Sequence, residues 1–159
     1  MESYIVNLPV ELLFDIVSRL HYSDIIRLCR TSPVLNDLLC HNDTIWKILY
    51  QRDISTKPPN TSYYEAYRRV IHDTRNFEPN EILIYASQHG YNQLVERMLE
   101  EGATDYNEAL ESAAFGGHRD IVERMLELVT QGYDDAMIEA THGGHKDIVE
   151  LIRRERDRY

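Results

Sequence analysis

A period of 27 residues in the second half of this chain constrains its fold more than any other sequence feature. Gly90, Gly117 and Gly144 follow that spacing, and alanine and apolar positions keep the same register. These further positions are Ala86, Ala113, Ala140; Val95, Val122, Val149; Leu94, Ile121, Ile148; Met98, Met125, Ile152; and Leu83, Leu110, Met137. Periods of about 20 to 50 residues are typical of arrays whose units are small supersecondary elements. The sequence therefore predicts three similar units that stack on one another.

Each unit is predicted to be a pair of helices. Asn80, Asn107 and Asp134 follow the same period, and an acid follows each, so we expect them to be the N-caps of the first helices. The repeated glycine is placed where a left-handed residue would end the first helix. A second helix, such as residues 119–126, then carries one apolar face. One pair cannot bury both of its faces, whereas stacked pairs can.

The third unit differs on its outer face. Arg153 stands where the earlier units have Leu99 and Leu126, and residues 154–158 are all charged. A polar outer face is typical of a terminal unit, so we expect no further unit to stack there.

The segments 112–122 and 140–149 resemble ankyrin repeats, in which a small-residue helix runs into Gly-His and then into a helix containing Ile-Val. The resemblance covers about residues 78–155. The units are shorter than usual ankyrin units and lack the hairpin finger with its Thr-Pro-Leu-His opening. Short units without fingers are similar to the ankyrin arrays of large DNA viruses.

A comparison of the three units with one another separates core positions from variable ones, and the variable ones should face outward. In ankyrin folds the first helices line the concave, ligand-binding side. The resemblance therefore predicts a target-binding surface, although simple solvation of these positions is the alternative reading. The predicted residues are Tyr85, Gln88, Glu108, Glu111, Phe115, Glu139 and His142.

The net charge of −10 lies entirely in the second half of the chain. Residues 1–75 carry 9 basic and 9 acidic side chains, whereas residues 76–159 carry 8 and 18. Phosphate backbones would be repelled by such a surface, which argues against a nucleic-acid partner. An acidic surface better suits a basic or polar segment of a partner protein, and the target protein is one with a basic surface in this reading.

The first half is predicted to contain short packed helices, and its first helix has two apolar faces. One face carries Leu13 and Val17 with Val10 and Phe14; the other carries Leu12, Ile16 and Leu20, extended by Leu8. A domain of this size can hardly cover both faces, so the uncovered one is a candidate partner site.

The segments 8–20, 24–29 and 45–50, with Ser32 and Leu35 between them, resemble an F-box. Thr31 and Leu35 depart from the commoner Val and Trp of that family. The resemblance implies that the domain docks on the Skp adaptor of cullin–RING ubiquitin ligases. Carried over residue by residue, it predicts adaptor contacts at Leu8, Pro9, Leu12, Leu13, Ile16, Leu20 and Leu28.

The predicted fold is all-α: an F-box-like domain at residues 1–53, a linker and connecting helix at 54–77, and three ankyrin-type repeats with their cap at 78–159. The connecting helix has a Ser62/Glu65 capping box and a tyrosine-rich stripe, which we expect to cover the open side of the first repeat. Trp46 is expected in the core rather than at a contact. Cys29 and Cys40 are read as buried thiols of a reducing compartment, with a disulfide left open as the alternative.

No motif in the sequence predicts catalysis, a metal or a cofactor. His118, His142 and His145 could suggest metal ligands, but two of them fill the structural Gly-His position of ankyrin units. The chain starts without a basic region or small-residue cleavage site and has no long apolar run, so we expect neither secretion nor a membrane span.

These features together predict a non-enzymatic substrate receptor of a Skp–cullin–F-box ubiquitin ligase, in the cytoplasm or nucleus, and in the host cell if the chain is viral. The F-box would dock the adaptor and the repeats would bind a target protein. The alternative is a scaffold or decoy that sequesters a host protein or the adaptor without delivering a substrate.

Overall fold

The computed structural model describes residues 9–158, apart from the side chains of Val10, Glu11, Phe14 and Ser18. The described residues form helices and no strand, which confirms the predicted all-α class. They divide into two compact units. The first contains the residues up to Arg52 together with Lys57–His72, and the second contains Asp53–Thr56 together with the chain from Asp73 onward.

Short helices build the first unit around a compact apolar core. Their order is α1 Val10–Ser18, α2 Tyr22–Thr31, α3 Pro33–Leu35, a π-helical turn Asn36–Cys40, α4 Asp43–Asp53 and α5 Tyr63–Thr74. Trp46 of α4 is fully buried, and its indole Nε1–H donates a hydrogen bond to the Cys40 carbonyl at 3.1 Å. The prediction that Trp46 is a core residue is therefore confirmed.

The aromatic stripe of α5 packs within this first unit. Tyr64 and Tyr67 lie against Trp46, with ring centroids 5.0 and 5.6 Å away, and Tyr63 lies 5.7 Å from Tyr50. The Ser62 hydroxyl accepts a hydrogen bond from the Glu65 amide at 3.3 Å, as the capping box predicts. The tyrosines of this stripe therefore complete the core around Trp46, and their predicted covering of the first repeat stays a prediction.

The two cysteines form a disulfide. Cys29 of α2 is joined to Cys40 of the π-helical turn, and both residues are buried. The reading of free buried thiols is therefore wrong in this structure, and the alternative that the sequence left open holds. The bond ties two helices that the core already holds together.

Three consecutive helix pairs make up most of the second unit, as the 27-residue period predicts. The pairs are α6 Pro79–His89 with α7 Asn92–Glu100, α8 Tyr106–Gly116 with α9 Arg119–Leu126, and α10 Tyr133–His142 with α11 Lys146–Arg156. The first helices α6, α8 and α10 contact one another more extensively than α7, α9 and α11 do. The repeated alanines of these helices, Ala86, Ala113 and Ala140, are fully buried. Their small side chains allow the helices to approach closely.

Histidines connect successive pairs through the repeated glycines. Gly90, Gly117 and Gly144 have φ of 75°, 77° and 81°, which confirms the predicted left-handed helix ends. The His118 ring occupies the space that a Cβ at Gly90 would need, and its Nε2–H donates to the Gln88 carbonyl at 2.9 Å. The His145 ring lies against Gly117 in the same way, whereas nothing lies within 4 Å of a Cβ built on Gly144.

The predicted N-caps are wrong by about half a turn, because each first helix begins before the repeated Asn or Asp. The Asn80 carboxamide instead accepts hydrogen bonds from the amides of Thr104 and Asp105, at 2.7 and 3.4 Å. It therefore holds the loop that precedes the following pair. Asp134, in the last pair, accepts from Arg156 Nη1 at 2.8 Å.

A four-residue segment, Asp53–Thr56, covers the end of the first pair. The Ile54 carbonyl accepts hydrogen bonds from the amides of Gln93 and Leu94 at 3.0 and 3.2 Å, and the Ile54 side chain is buried. The Ser55 hydroxyl lies 3.1 Å from Asn92 Oδ1. This segment therefore packs against the first turn of α7.

Replacement of the repeated glycine by alanine should cost more at position 117 than at position 144. Both variants force alanine into the left-handed region, which costs about 1 kcal/mol, but only Gly117→Ala also meets the His145 ring. We expect Gly117→Ala to lower the free energy of unfolding by at least about 1 kcal/mol more than Gly144→Ala does. Urea unfolding followed by far-UV circular dichroism measures this difference.

Trp46 supplies an internal control, because it is the only tryptophan and lies in the first unit. Its fluorescence should report the same first-unit transition in both variants. Equal destabilisation by the two alanines would show that the His145 contact contributes nothing.

Candidate functional site

The first helix of the first unit exposes apolar side chains along one face. Leu12 and Ile16 are 51% and 45% exposed and lie four residues apart, so they are neighbours on α1. Pro9 is exposed at the start of this face. Leu13 and Val17 lie on the opposite face and are buried. The helix therefore has the two apolar faces that the sequence predicts, one in the core and one in solvent; we call the exposed face, Pro9, Leu12 and Ile16, the α1 strip.

The other predicted adaptor contacts occupy less exposed places. Leu20 and Leu28 are partly buried, and Leu8 lies outside the described residues. Leu13 is only 6% exposed, so in this structure it belongs to the core of the unit rather than to the α1 strip. On α4, Ile48 is 37% exposed, whereas its neighbours Ile45 and Leu49 are buried.

A groove lies on the face of the first helices in the second unit. Its volume is about 310 Å³, and Gln88 of α6, Glu111, Ser112 and Phe115 of α8, and Glu139 of α10 line it. We call these five residues the first-helix groove. Four of them are among the seven predicted target-binding residues. The array brings these four together although they are up to 51 positions apart in the sequence, because their helices stack side by side.

Carboxylates dominate the electrostatics of the first-helix groove. Burial raises the pKa of the Glu111 carboxyl above its ordinary value, and the charges of Asp135, Glu108 and Glu139 raise it further. A raised pKa means that the ionised form of Glu111 is disfavoured where it stands. The groove is therefore short of positive charge.

The remaining predicted target-binding residues lie around the groove. The Tyr85 hydroxyl donates a hydrogen bond to Asp73 Oδ2 at 3.0 Å, and the Tyr85 ring stacks on His89 at 4.2 Å. Glu108 is exposed, and His142 Nδ1 lies 3.4 Å from the Glu139 carboxylate. Tyr85 is thus already engaged within the unit, and its role in target binding stays a prediction.

Two residues of this face were missed by the sequence-based selection. Ser112 lines the groove, and Ile138 of α10 is 51% exposed. Both occupy positions that vary among the three units, so the signal that identified Glu111 and Glu139 was present for them too. A larger cavity of about 740 Å³ lies beside α9 and α11, but its lining mixes carboxylates with arginines and favours no one ligand.

Comparison with protein families decides what the first unit is. Residues 5–52 match the family model described as F-box-like. The chain carries an F-box-like domain. The match covers about a third of the chain and includes the whole α1 strip. Comparison with curated proteins and with solved structures gave no match.

The F-box-like domain and the helix pairs contain no group of three or more His, Cys, Asp or Glu side chains that could hold a metal, among the residues that the structure describes. His118 and His145 instead pack against glycines of the preceding pairs. Within residues 9–158 no helix is long and apolar enough to cross a membrane.

Glu111→Gln should stabilise the chain at neutral pH. The pKa of Glu111 is higher in the folded state, so the folded state holds this proton more tightly and ionisation above that pKa opposes folding. The gain from glutamine should be full above the raised folded pKa. It should vanish below the unfolded glutamate value of about 4.3, where both states are protonated.

Thermal unfolding at about pH 7 and about pH 3.5, on either side of this window, measures the effect. Glu100→Gln, at an exposed position of α7, is the control and should change the melting temperature less. A melting temperature for Glu111→Gln that equals the parent's at neutral pH would contradict the prediction.

Proposed function

We propose that this chain is a substrate-receptor subunit of a Skp–cullin–F-box ubiquitin ligase. The observation that carries the proposal is an F-box-like domain whose first helix exposes an apolar strip. F-box domains typically bind Skp-type adaptors, and an exposed apolar strip on a small domain is a suitable docking surface. The adaptor would cover Leu12 and Ile16, which are 51% and 45% exposed.

The second unit would be a short ankyrin-type array, similar to those of large DNA viruses, that binds the target protein. Three pairs with a 27-residue period, left-handed glycines at equivalent positions and a histidine that packs on the preceding pair support this assignment. The target would lie on the face of the first helices, around the first-helix groove. If the chain is viral, the target and the adaptor would be host proteins.

The chain itself would make no covalent bond and would act by proximity. Its two units would hold a target lysine near a ubiquitin-conjugating enzyme, which raises the effective concentration of the reacting groups. We place this activity in the cytoplasm or nucleus. Thiols are kept reduced there, so the F-box-like domain should also work with Cys29 and Cys40 unbonded.

The variant Leu12→Ala with Ile16→Ala should weaken binding to a Skp-type adaptor. Both side chains are exposed, so their loss should remove an apolar contact without opening the core. We expect a loss of about 2 kcal/mol, which is the scale of interface hot spots. Isothermal titration of a purified Skp adaptor into the full chain, with and without a thiol reductant, measures this loss.

Val34→Ala is a matched control, because Val34 is 47% exposed on α3 and is not a predicted contact. Its affinity for the adaptor should equal that of the parent. A folded parent chain that does not bind the adaptor would refute the proposed ligase role. A target that binds but keeps its abundance, whether or not the proteasome is blocked, would point to a scaffold or decoy.

A further inference from the structure

The charges of the second unit are segregated between its two sets of helices. The first helices α6, α8 and α10 contain six acidic residues and neither Lys nor Arg. The 8 basic residues of positions 76–159 all lie on α7, α9 or α11, or at Arg158. The acidic residues of the first helices are Glu81, Glu108, Glu111, Asp134, Asp135 and Glu139.

The arginines of the second helices pair with nearby acids, which include Asp134 of the first helix α10, 2.8 Å from Arg156. Arg119 pairs with Glu123 at 2.8 Å, and Arg124 bridges to Glu96 at 2.9 Å. Among the described residues, no Lys or Arg forms an ion pair with Glu111 or Glu139, although Glu139 has His142 nearby. The face of the first helices therefore presents negative charge that a partner can neutralise.

An exposed aromatic ring lies among these carboxylates. Phe115 is 43% exposed and lines the first-helix groove together with Glu111 and Glu139. An aromatic face attracts a guanidinium group, and carboxylates accept its hydrogen bonds in a bidentate geometry. Burial of apolar surface alone would not require two acids in the same lining as the ring. The combination fits a cationic side chain with an apolar stem, which is the structure of arginine.

We infer that the first-helix groove binds an arginine within a basic segment of the target protein. This inference rests on the proposed function, in which the repeats bind the target. The guanidinium would lie between Glu111 and Glu139, and the arginine stem would pack on Phe115. Gln88 and Ser112 supply the polar groups that the backbone of such a segment can use. Burial and the neighbouring acids disfavour the ionised form of Glu111. The guanidinium of the bound arginine would stabilise that form.

Lysine is a poorer ligand for this groove, because its ammonium group cannot form two parallel hydrogen bonds or stack on a ring as a plane. Nucleic acid would be repelled by the same carboxylates. The groove of about 310 Å³ is large enough for one side chain rather than for a folded element. The segment should therefore bind in an extended form with one arginine inserted.

Fluorescence anisotropy with the full chain tests this inference. The probe is a fluorescein-labelled peptide in which arginine alternates with serine, and the control probe has the neutral isostere citrulline in place of every arginine. We expect the arginine peptide to bind and the citrulline peptide to bind at least about tenfold more weakly. A lysine peptide should fall between them. Equal binding of the arginine and citrulline peptides would overturn the inference.

Matched charge variants separate the groove from the overall negative field. Glu111→Gln with Glu139→Gln should weaken binding of the arginine peptide about tenfold. Glu100→Gln with Asp147→Asn removes the same charge from exposed positions of α7 and α11 and should have little effect. Phe115→Ala should also weaken binding. Equal losses from the two double variants would overturn the inference, because the attraction would then be non-specific.

The adaptor titration and the peptide titration test the two proposals separately. Leu12→Ala with Ile16→Ala should leave binding of the arginine peptide unchanged. Adaptor binding without peptide binding would refute the arginine site and leave the ligase role standing. Peptide binding without adaptor binding would refute the ligase role and leave the arginine site standing.

Discussion

The close approach of α6, α8 and α10 is the contact on which the second unit depends. Buried alanines set the distance between these helices, and a left-handed glycine ends α6 and α8 without a side chain. The histidine of the next pair then fills the space beside that glycine. Each pair thus completes the packing of its predecessor, so stability in such an array is shared between neighbours rather than held within one pair.

The same packing determines which side chains become neighbours on the face of the first helices. Since the first helices lie side by side, residues at equivalent positions of different pairs become neighbours, and Gln88, Phe115 and Glu139 meet in one groove. The second helices carry the arginines and balance their own acids. The second helices therefore carry balanced charge, whereas the first helices carry an excess of negative charge. In the F-box-like domain the corresponding division is between the buried and exposed faces of α1.

The sequence predicted the helix pairs well because a strict period reports the spacing of packed helices directly. Four of the five groove residues had been selected for target binding because they vary among the units, and that role stays a prediction. Local rules failed where a long-range contact replaced a local one: Asn80 bonds to the loop before the next pair rather than capping its own helix. The exposure of single side chains was also hard to predict, since Leu13, a predicted adaptor contact, is buried in the core. Neither the Cys29–Cys40 bond nor the packing of α5 on Trp46 is readable from spacing alone.

The placement of Asp53–Thr56 has a consequence for modularity. The backbone enters the second unit at residue 53, returns to the first at 57 and crosses again at 73. An F-box-like domain attached through one linker could be exchanged between proteins as a cassette. Here recombination at any single junction would remove the contact of Ile54 with Leu94 or the contact of α5 with Trp46. A cut at one junction therefore cannot separate the two units without the loss of contacts inside at least one of them.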